Sequence, residues 1–148
     1  MLVRPSVVIL TDNKLLLLKY NYGGHDVYGL PGGNPDEDDT LEDTIVRELK
    51  EELNLDVEVL QLIIAGEVIF KEKSKSTLHC VFSGRVASGP PVINPEHTSA
   101  LGYEWKDINE LDTINMYPNI GKHIKAWVSG ESSSPSGPYI GQIKQQWF

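Results

Sequence analysis

The chain has a single cysteine among its 148 residues, so no internal disulfide can form and a disulfide-stapled scaffold is excluded. Cys80 lies in the apolar run Leu78-His79-Cys80-Val81-Phe82, where a buried structural thiol is the expected role. Long hydrophobic runs are also lacking. The N-terminal run Val7 to Leu10 stops at Thr11-Asp12-Asn13, too short for the core of a signal peptide and far too short to span a bilayer, so a cytoplasmic location without a membrane partner is expected. Positive charge is scarce: 13 Lys and Arg stand against 21 Asp and Glu, for a formal net charge of -8. No block of Lys or Arg offers the basic stripe that a phosphate backbone requires, which argues against polymeric nucleic acid as a partner. A nucleotide is not excluded, because bound divalent cations invert local electrostatics. Internal repeats are absent.

Hydrophobic residues make up 40% of the chain and charged residues 23%, a globular balance, and the length suits one domain with its own core. Residues 6–10 and 14–20 form two apolar runs split by Thr11-Asp12-Asn13, the pattern of a β-hairpin. Tyr28-Gly29-Leu30-Pro31-Gly32-Gly33 joins a strand end to a Pro-Gly-Gly break, and an acidic loop follows from Asn34 to Asp39. Val57 to Phe70 and Leu78 to Val86 read as strands around a polar loop, which makes a sheet of at least four strands. A short strand near Leu101–Trp105 and a helix over Ile120–Val128 come next. Residues 1–129 are expected to form the domain. Ser129 to Pro138 reads as a flexible connector, leaving Tyr139 to Phe148 as a tail packed on the same domain or at a homodimer interface.

One predicted helix concentrates the chemistry. Thr40 is a suitable N-cap, Asp43 stands at its capping-box position, and Asn54 tolerates the left-handed conformation that ends many helices. At about 100° per residue, Leu41, Ile45, Leu49 and Leu53 share an arc of roughly 120° that must face the core. Glu52 falls inside that arc, Glu48 lies just outside it, and Glu51 is about a third of a turn beyond Glu52. Like charges at contacting spacings near the negative end of a helix, partly desolvated by the core, need a proton or a cation. A hard, oxygen-seeking ion such as Mg²⁺ satisfies all three conditions. The alternative is a solvated acidic face neutralised by Arg47 and Lys50.

The order Gly33, Asp39, Arg47, Glu48, Leu49, Glu51, Glu52, Asn54, Leu55 resembles the Nudix box, G-x5-E-x7-R-E-U-x-E-E-x-G-U with U a bulky aliphatic. Two positions depart from it: Asp39 stands for the first Glu and Asn54 for the Gly after the helix. Leu30-Pro31-Gly32 before the box, and Trp105 followed by Glu110-Leu111, extend the likeness over much of the chain. The resemblance implies an α+β fold of Nudix type, an α/β/α sandwich with a mixed central sheet and a loop-helix-loop catalytic box. It implies a hydrolase that uses divalent metal, Mg²⁺ first and Mn²⁺ second, to cleave a phosphoanhydride in a nucleoside diphosphate linked to another moiety. A non-catalytic nucleotide-binding sensor on the same fold is the competing reading.

By position the resemblance makes Glu48, Glu51 and Glu52 metal ligands, with the Gly32 carbonyl as a further one. Arg47 would orient a neighbouring carboxylate, while Asp39 and Asn54 would serve the structure of the box. Glu52 and Glu96 are the candidates for general base. Tyr20, Tyr22, His25 and Tyr28 precede the box and are candidates for stacking on a base, although packing is the commoner role of strand aromatics; Gly33 would border the substrate. His25, His79, His97 and His123 have no partners at zinc-ligand spacing, and no zinc site is expected.

Overall fold

The computed structural model describes residues 1–131 and 137–147. The N-terminal hairpin forms as its sequence dictates: β1 (Leu2–Thr11) and β2 (Lys14–Tyr22) are joined by Asp12 and Asn13, both at positive φ, as a tight two-residue turn requires. Their pairing is confined to Leu10↔Leu15 and Thr11↔Lys14. Beyond the turn the two strands diverge. β1 continues parallel to β5 (Thr77–Ser88), whereas β2 pairs antiparallel with β3 (His25–Gly29) and β6 (Gly102–Asp107). β4 (Asp56–Val68) lies antiparallel to β5, so the sheet is mixed.

Both faces of the sheet are covered, which explains why its central strands read as apolar runs without alternation. Val7, Ile9, Leu16 and Leu18 pack against Ile45, Leu49 and Leu53 of helix α1 (Leu41–Leu53). On the other face Val8, Leu15, Leu17 and Val81 pack against Ile120 and Ile124, at the start of helix α2 (Gly121–Ser129). The result is an α+β sandwich with strands between two helical layers. Among the described residues no helix is long and apolar enough to cross a membrane.

Among the described residues the sheet has seven strands. The last, β7 (Tyr139–Gln142), runs parallel to β4, and Ile143 behind it is 4% exposed in the core. Gln145 Nε2 donates to the Met116 carbonyl, its Oε1 accepts from the Asn119 amide, and the Trp147 ring lies 4.7 Å from that of Phe70. This strand was not legible in the sequence, because Gly141 at positive φ interrupts a run of only four residues. Ser132 to Ser136 of the expected connector and Phe148 of the expected tail lie outside the described residues.

Candidate active site

α1 begins and ends as its caps dictate. The Thr40 side chain accepts from the Asp43 amide while the Asp43 carboxylate accepts from the Thr40 amide, and Asn54 closes the helix at φ 53°, ψ 35°. The Pro31–Gly33 segment is zipped to β1 by two bonds, the Val7 amide to the Pro31 carbonyl at 3.0 Å and the Gly33 amide to the Pro5 carbonyl at 3.2 Å. Gly32 sits opposite Ser6 in this bridge, and its own carbonyl takes no part in it. Only glycine fits there, since a Cβ would overlap the Pro5 carbonyl and lie 2.7 Å from Ser6 Cα. Gly33 is buried beneath Glu48, whose Oε1 would be 2.6 Å from a Cβ added at that position. The glycine pair therefore holds the loop on β1 and seats one carboxylate of the helix.

Arg47 ties loop to helix. Its Nη2 and Nε donate to Asp39 Oδ2 at 2.7 and 3.2 Å, Nη1 donates to Glu48 Oε1 at 3.0 Å, and Nη2 donates to the Asn34 carbonyl at 3.3 Å. The hydrogen bonds from Arg47 hold the Asp39 carboxyl below its usual range, and the same contacts push the guanidinium further up. Asp39 also accepts from the Asp36 amide at 3.1 Å, so the shorter side chain closes the acidic loop and anchors Arg47.

The three glutamates have different surroundings. The Glu52 residue is 9% exposed, whereas the Glu48 and Glu51 side chains are 15% and 38% exposed. Glu52 Oε2 is buried without a hydrogen-bond partner among the described residues. Burial first, and then the charge of Glu48, push its carboxyl up to about 8. Glu51 turns toward Arg47, with Oε2 3.6 Å from Nη1. No group of three or more His, Cys, Asp or Glu side chains among the described residues is gathered in a form that could hold a metal ion. Glu48 and Glu52 are brought together, and Glu51 stands apart on Arg47.

Where β1 and β2 diverge, a cleft of about 460 Å³ opens, and Glu52 lines it. Tyr20 and Tyr22 form one wall, their rings stacked at 5.9 Å and 11°. Burial, and next the charge of Glu52, raise the Tyr20 hydroxyl. Tyr28 also lines the cleft, but its ring is 7% exposed, with Lys106 Nζ 5.0 Å from the ring centroid. Its cross-strand partner is Lys19 while that of Tyr20 is Val27, which places the two tyrosines on opposite faces of the sheet. Glu96 is exposed and outside the residues lining the cleft, although the neighbouring Asn94 amide donates to the Glu52 carbonyl at 2.9 Å. His97 lines the cleft.

Sequence reasoning missed two residues here, Arg4 and His79, which are direct partners across the parallel β1–β5 pairing. A lone Arg and a lone His in otherwise apolar strands were the available signal. The pairing that joins them spans 75 positions and leaves no local trace. His79 is 1% exposed, and burial, then the Arg4 charge, lower its pKa to about 4. Because the unfolded imidazole takes up a proton from about pH 6.5 downward and the folded one only near 4, this group costs stability as pH falls through that window, at most about 3 kcal/mol. Urea unfolding at pH 7 and pH 4.5 should show a larger acid loss for the parent than for His79→Phe; equal losses would contradict a buried neutral imidazole.

The family model of the NUDIX domain matches residues 1–128. The chain belongs to the Nudix family. Members of this family are pyrophosphohydrolases and generally use divalent metal ions. An uncharacterized Nudix hydrolase of Bacillus subtilis (strain 168), YvcI, is 25% identical over 126 residues, which span 85% of this chain and 78% of that protein. An ADP-ribose pyrophosphatase from Streptococcus suis has the same fold, with a TM-score of 0.66 at 21% identity over 97% of this chain and 98% of its own. So does a UDP-X diphosphatase, with a TM-score of 0.69 at 20% identity over 93% of this chain and 66% of its own. At these identities the structural likenesses speak for the fold alone. They agree with the α+β sandwich and its mixed sheet.

Proposed function

We propose that this Nudix chain hydrolyses a phosphoanhydride in a nucleoside diphosphate linked to another moiety, with Mg²⁺ or Mn²⁺ held at the mouth of the cleft. The observation that carries this reading is the buried Glu52 carboxyl, unpartnered at Oε2 and pressed against Glu48 beside the cleft. Two carboxyls in that position are stabilised by a hard cation and destabilised without one. Glu48 and Glu52 would hold the ion, the Gly32 carbonyl is free of strand pairing, and Glu51 would join by leaving Arg47. A bound divalent ion neutralises phosphate charge and lowers the pKa of an attacking water.

The chain's own residues do the rest. Arg47 keeps Glu48 oriented through one arm while Asp39 anchors the other. Asn54 supplies the left-handed turn that the usual glycine provides, so neither departure from the box removes a chemical group from the site. Glu52 is the favoured general base because it is enclosed beside the cleft, whereas Glu96 is exposed outside it. Tyr20 and Tyr22 offer the wall for a planar group. We assign residues 137–147 to the same domain, on the strength of β7 and of Ile143 in the core.

The test is a panel of nucleoside triphosphates, ADP-ribose, nucleotide sugars and dinucleoside polyphosphates, assayed with Mg²⁺, with Mn²⁺ and with chelator. Metal-dependent release of phosphate or nucleoside monophosphate from at least one compound is expected. Tight binding with no turnover across the panel would overturn the hydrolase reading in favour of the sensor.

A further inference from the structure

The C-terminal segment is already fastened to the sheet at Ile143, whose amide donates to the Glu67 carbonyl at 2.7 Å and whose side chain is buried in the core. Beyond that point its bonds turn to one other segment. Gln145 Nε2 donates to the Met116 carbonyl at 3.0 Å, Gln145 Oε1 accepts from the Asn119 amide at 2.9 Å, and Asn119 Nδ2 donates to the Lys144 carbonyl at 3.0 Å. Tyr117 and Pro118 stand between the two bonded residues, and both line the cleft.

The Met116–Asn119 segment needs an outside partner for a reason present in its sequence. On one side it pairs with β3, the Tyr28 amide donating to the Asn115 carbonyl at 2.8 Å and the Tyr117 amide to the Tyr28 carbonyl at 2.9 Å. Pro118 has no N–H, so that pairing cannot run on. Ile120, the cap of α2, makes no side-chain hydrogen bond there either. The Gln145 amide, with a donor and an acceptor on one long side chain, engages the Met116 carbonyl and the Asn119 amide together. Trp147 backs the same place. Its ring lies 6.4 Å from that of Tyr117 and 4.7 Å from that of Phe70, and Tyr117 in turn meets His79 of the cleft edge-on at 5.5 Å. At 56% exposed, the Trp147 side chain is poorly placed to serve as core, and the ring it supports belongs to the wall.

We propose that residues 144–147 form a clasp that holds Tyr117 and Pro118 in place as part of the cleft wall. Gln145 and Trp147 are then positioning residues that set substrate affinity and leave the chemical step alone. A wall fixed in advance is one that a ligand need not order on arrival. The clasp lies beyond residue 128, where the match to the Nudix model ends. Among the described residues it makes no hydrogen bond, ion pair or ring contact with α1, which carries Glu48 and Glu52. The assignment rests on the nucleotide reading of the site.

The test compares the parent with Gln145→Met, Trp147→Ala and Tyr139→Phe. Tyr139→Phe is the control, because it removes the bond from the same C-terminal segment to Glu67 and leaves the 116–119 segment untouched. Two quantities are read: kcat and KM for the most reactive compound of the panel above, and equilibrium binding of AMP, GMP, UMP and CMP with Mg²⁺, which requires no turnover. Gln145→Met and Trp147→Ala should raise KM and the dissociation constant about five- to tenfold, the scale of ordering one or two side chains on binding, with kcat within about twofold. Tyr139→Phe should change neither. In a Tyr117→Ala background Gln145→Met should weaken binding by no more than about twofold further, because the clasp acts through that ring. Gln145→Met keeps the length of the side chain and decides the question even where Trp147→Ala does not fold. Parent-like affinity in Gln145→Met, a loss confined to kcat, or a full further loss on top of Tyr117→Ala would overturn the clasp while the hydrolase reading stands. A parent that hydrolyses nothing but binds a monophosphate, and loses that affinity in Gln145→Met, would overturn the hydrolase reading and support the clasp. A parent that neither binds nor hydrolyses any of these compounds would overturn both.

Discussion

Glu52→Gln is expected to lower turnover by about 10²- to 10⁴-fold, the usual scale for removing a general base or a metal-binding carboxylate, while the metal-free protein becomes more stable. The two effects have one cause. Folding encloses the Glu52 carboxyl next to Glu48 and raises it to about 8 from an ordinary 4.5. Above pH 4.5 the unfolded chain releases this proton and the metal-free fold retains it, so the carboxyl detracts from stability increasingly as pH rises toward 8. Glutamine carries no such charge and should gain on the order of 1 kcal/mol or more in chelator near pH 8, with little gain near pH 4.5. Added Mg²⁺ should reverse the order, because binding to the folded state alone stabilises the parent by mass action. Thermal or urea unfolding with chelator and with Mg²⁺, beside steady-state rates, would read all of this. Near-parent activity would remove Glu52 from the mechanism, and a destabilised metal-free variant would refute the account of its burial.

The helix was legible because its signals are local. A cap at Thr40, a stripe at Leu41, Ile45, Leu49 and Leu53, and a left-handed stop at Asn54 are each fixed by residues within one or two turns of each other, and all are present. The same wheel placed Glu52 beside the core and Glu51 away from it, and the structure encloses the first and leaves the second on Arg47. The hairpin at Asp12-Asn13 was legible for the same reason.

What stayed hidden depends on long-range pairing. The cleft exists because β1 and β2 part after two residue pairs, a property of their other partners, β5 on one side and β3 and β6 on the other. Arg4 meets His79 only through the parallel crossover, and β7 joins the sheet through β4, whose sequence neighbours lie far from it. Tyr20 and Tyr28 both line the cleft, yet the pleat sets their side chains on opposite faces of the sheet, which their positions along the chain do not show. Aromatic composition indicates how many rings there are, and only register indicates which of them a ligand can reach.

Gly33→Ala should lower kcat/KM by about 100-fold while costing stability only about 1 kcal/mol. Nothing in its backbone conformation demands glycine, and the conflict is with a side chain: a new Cβ would overlap Glu48 Cδ and lie 2.5 Å from Cγ. Glu48 would have to swing away, breaking its 3.0 Å bond to Arg47 and separating it from Glu52. Gly32→Ala makes the instructive contrast, because its Cβ would strike the Pro5 carbonyl and Ser6 backbone, which cannot rotate aside. That variant should lose about 2 to 4 kcal/mol of stability before any question of catalysis arises. The decisive measurement for Gly33 is a double-mutant cycle with Glu48→Ala. If glycine acts by seating this carboxylate, Gly33→Ala costs little further activity once Glu48 is gone. Additive losses would mean that Gly33 serves the substrate directly, as its place in the sequence had implied.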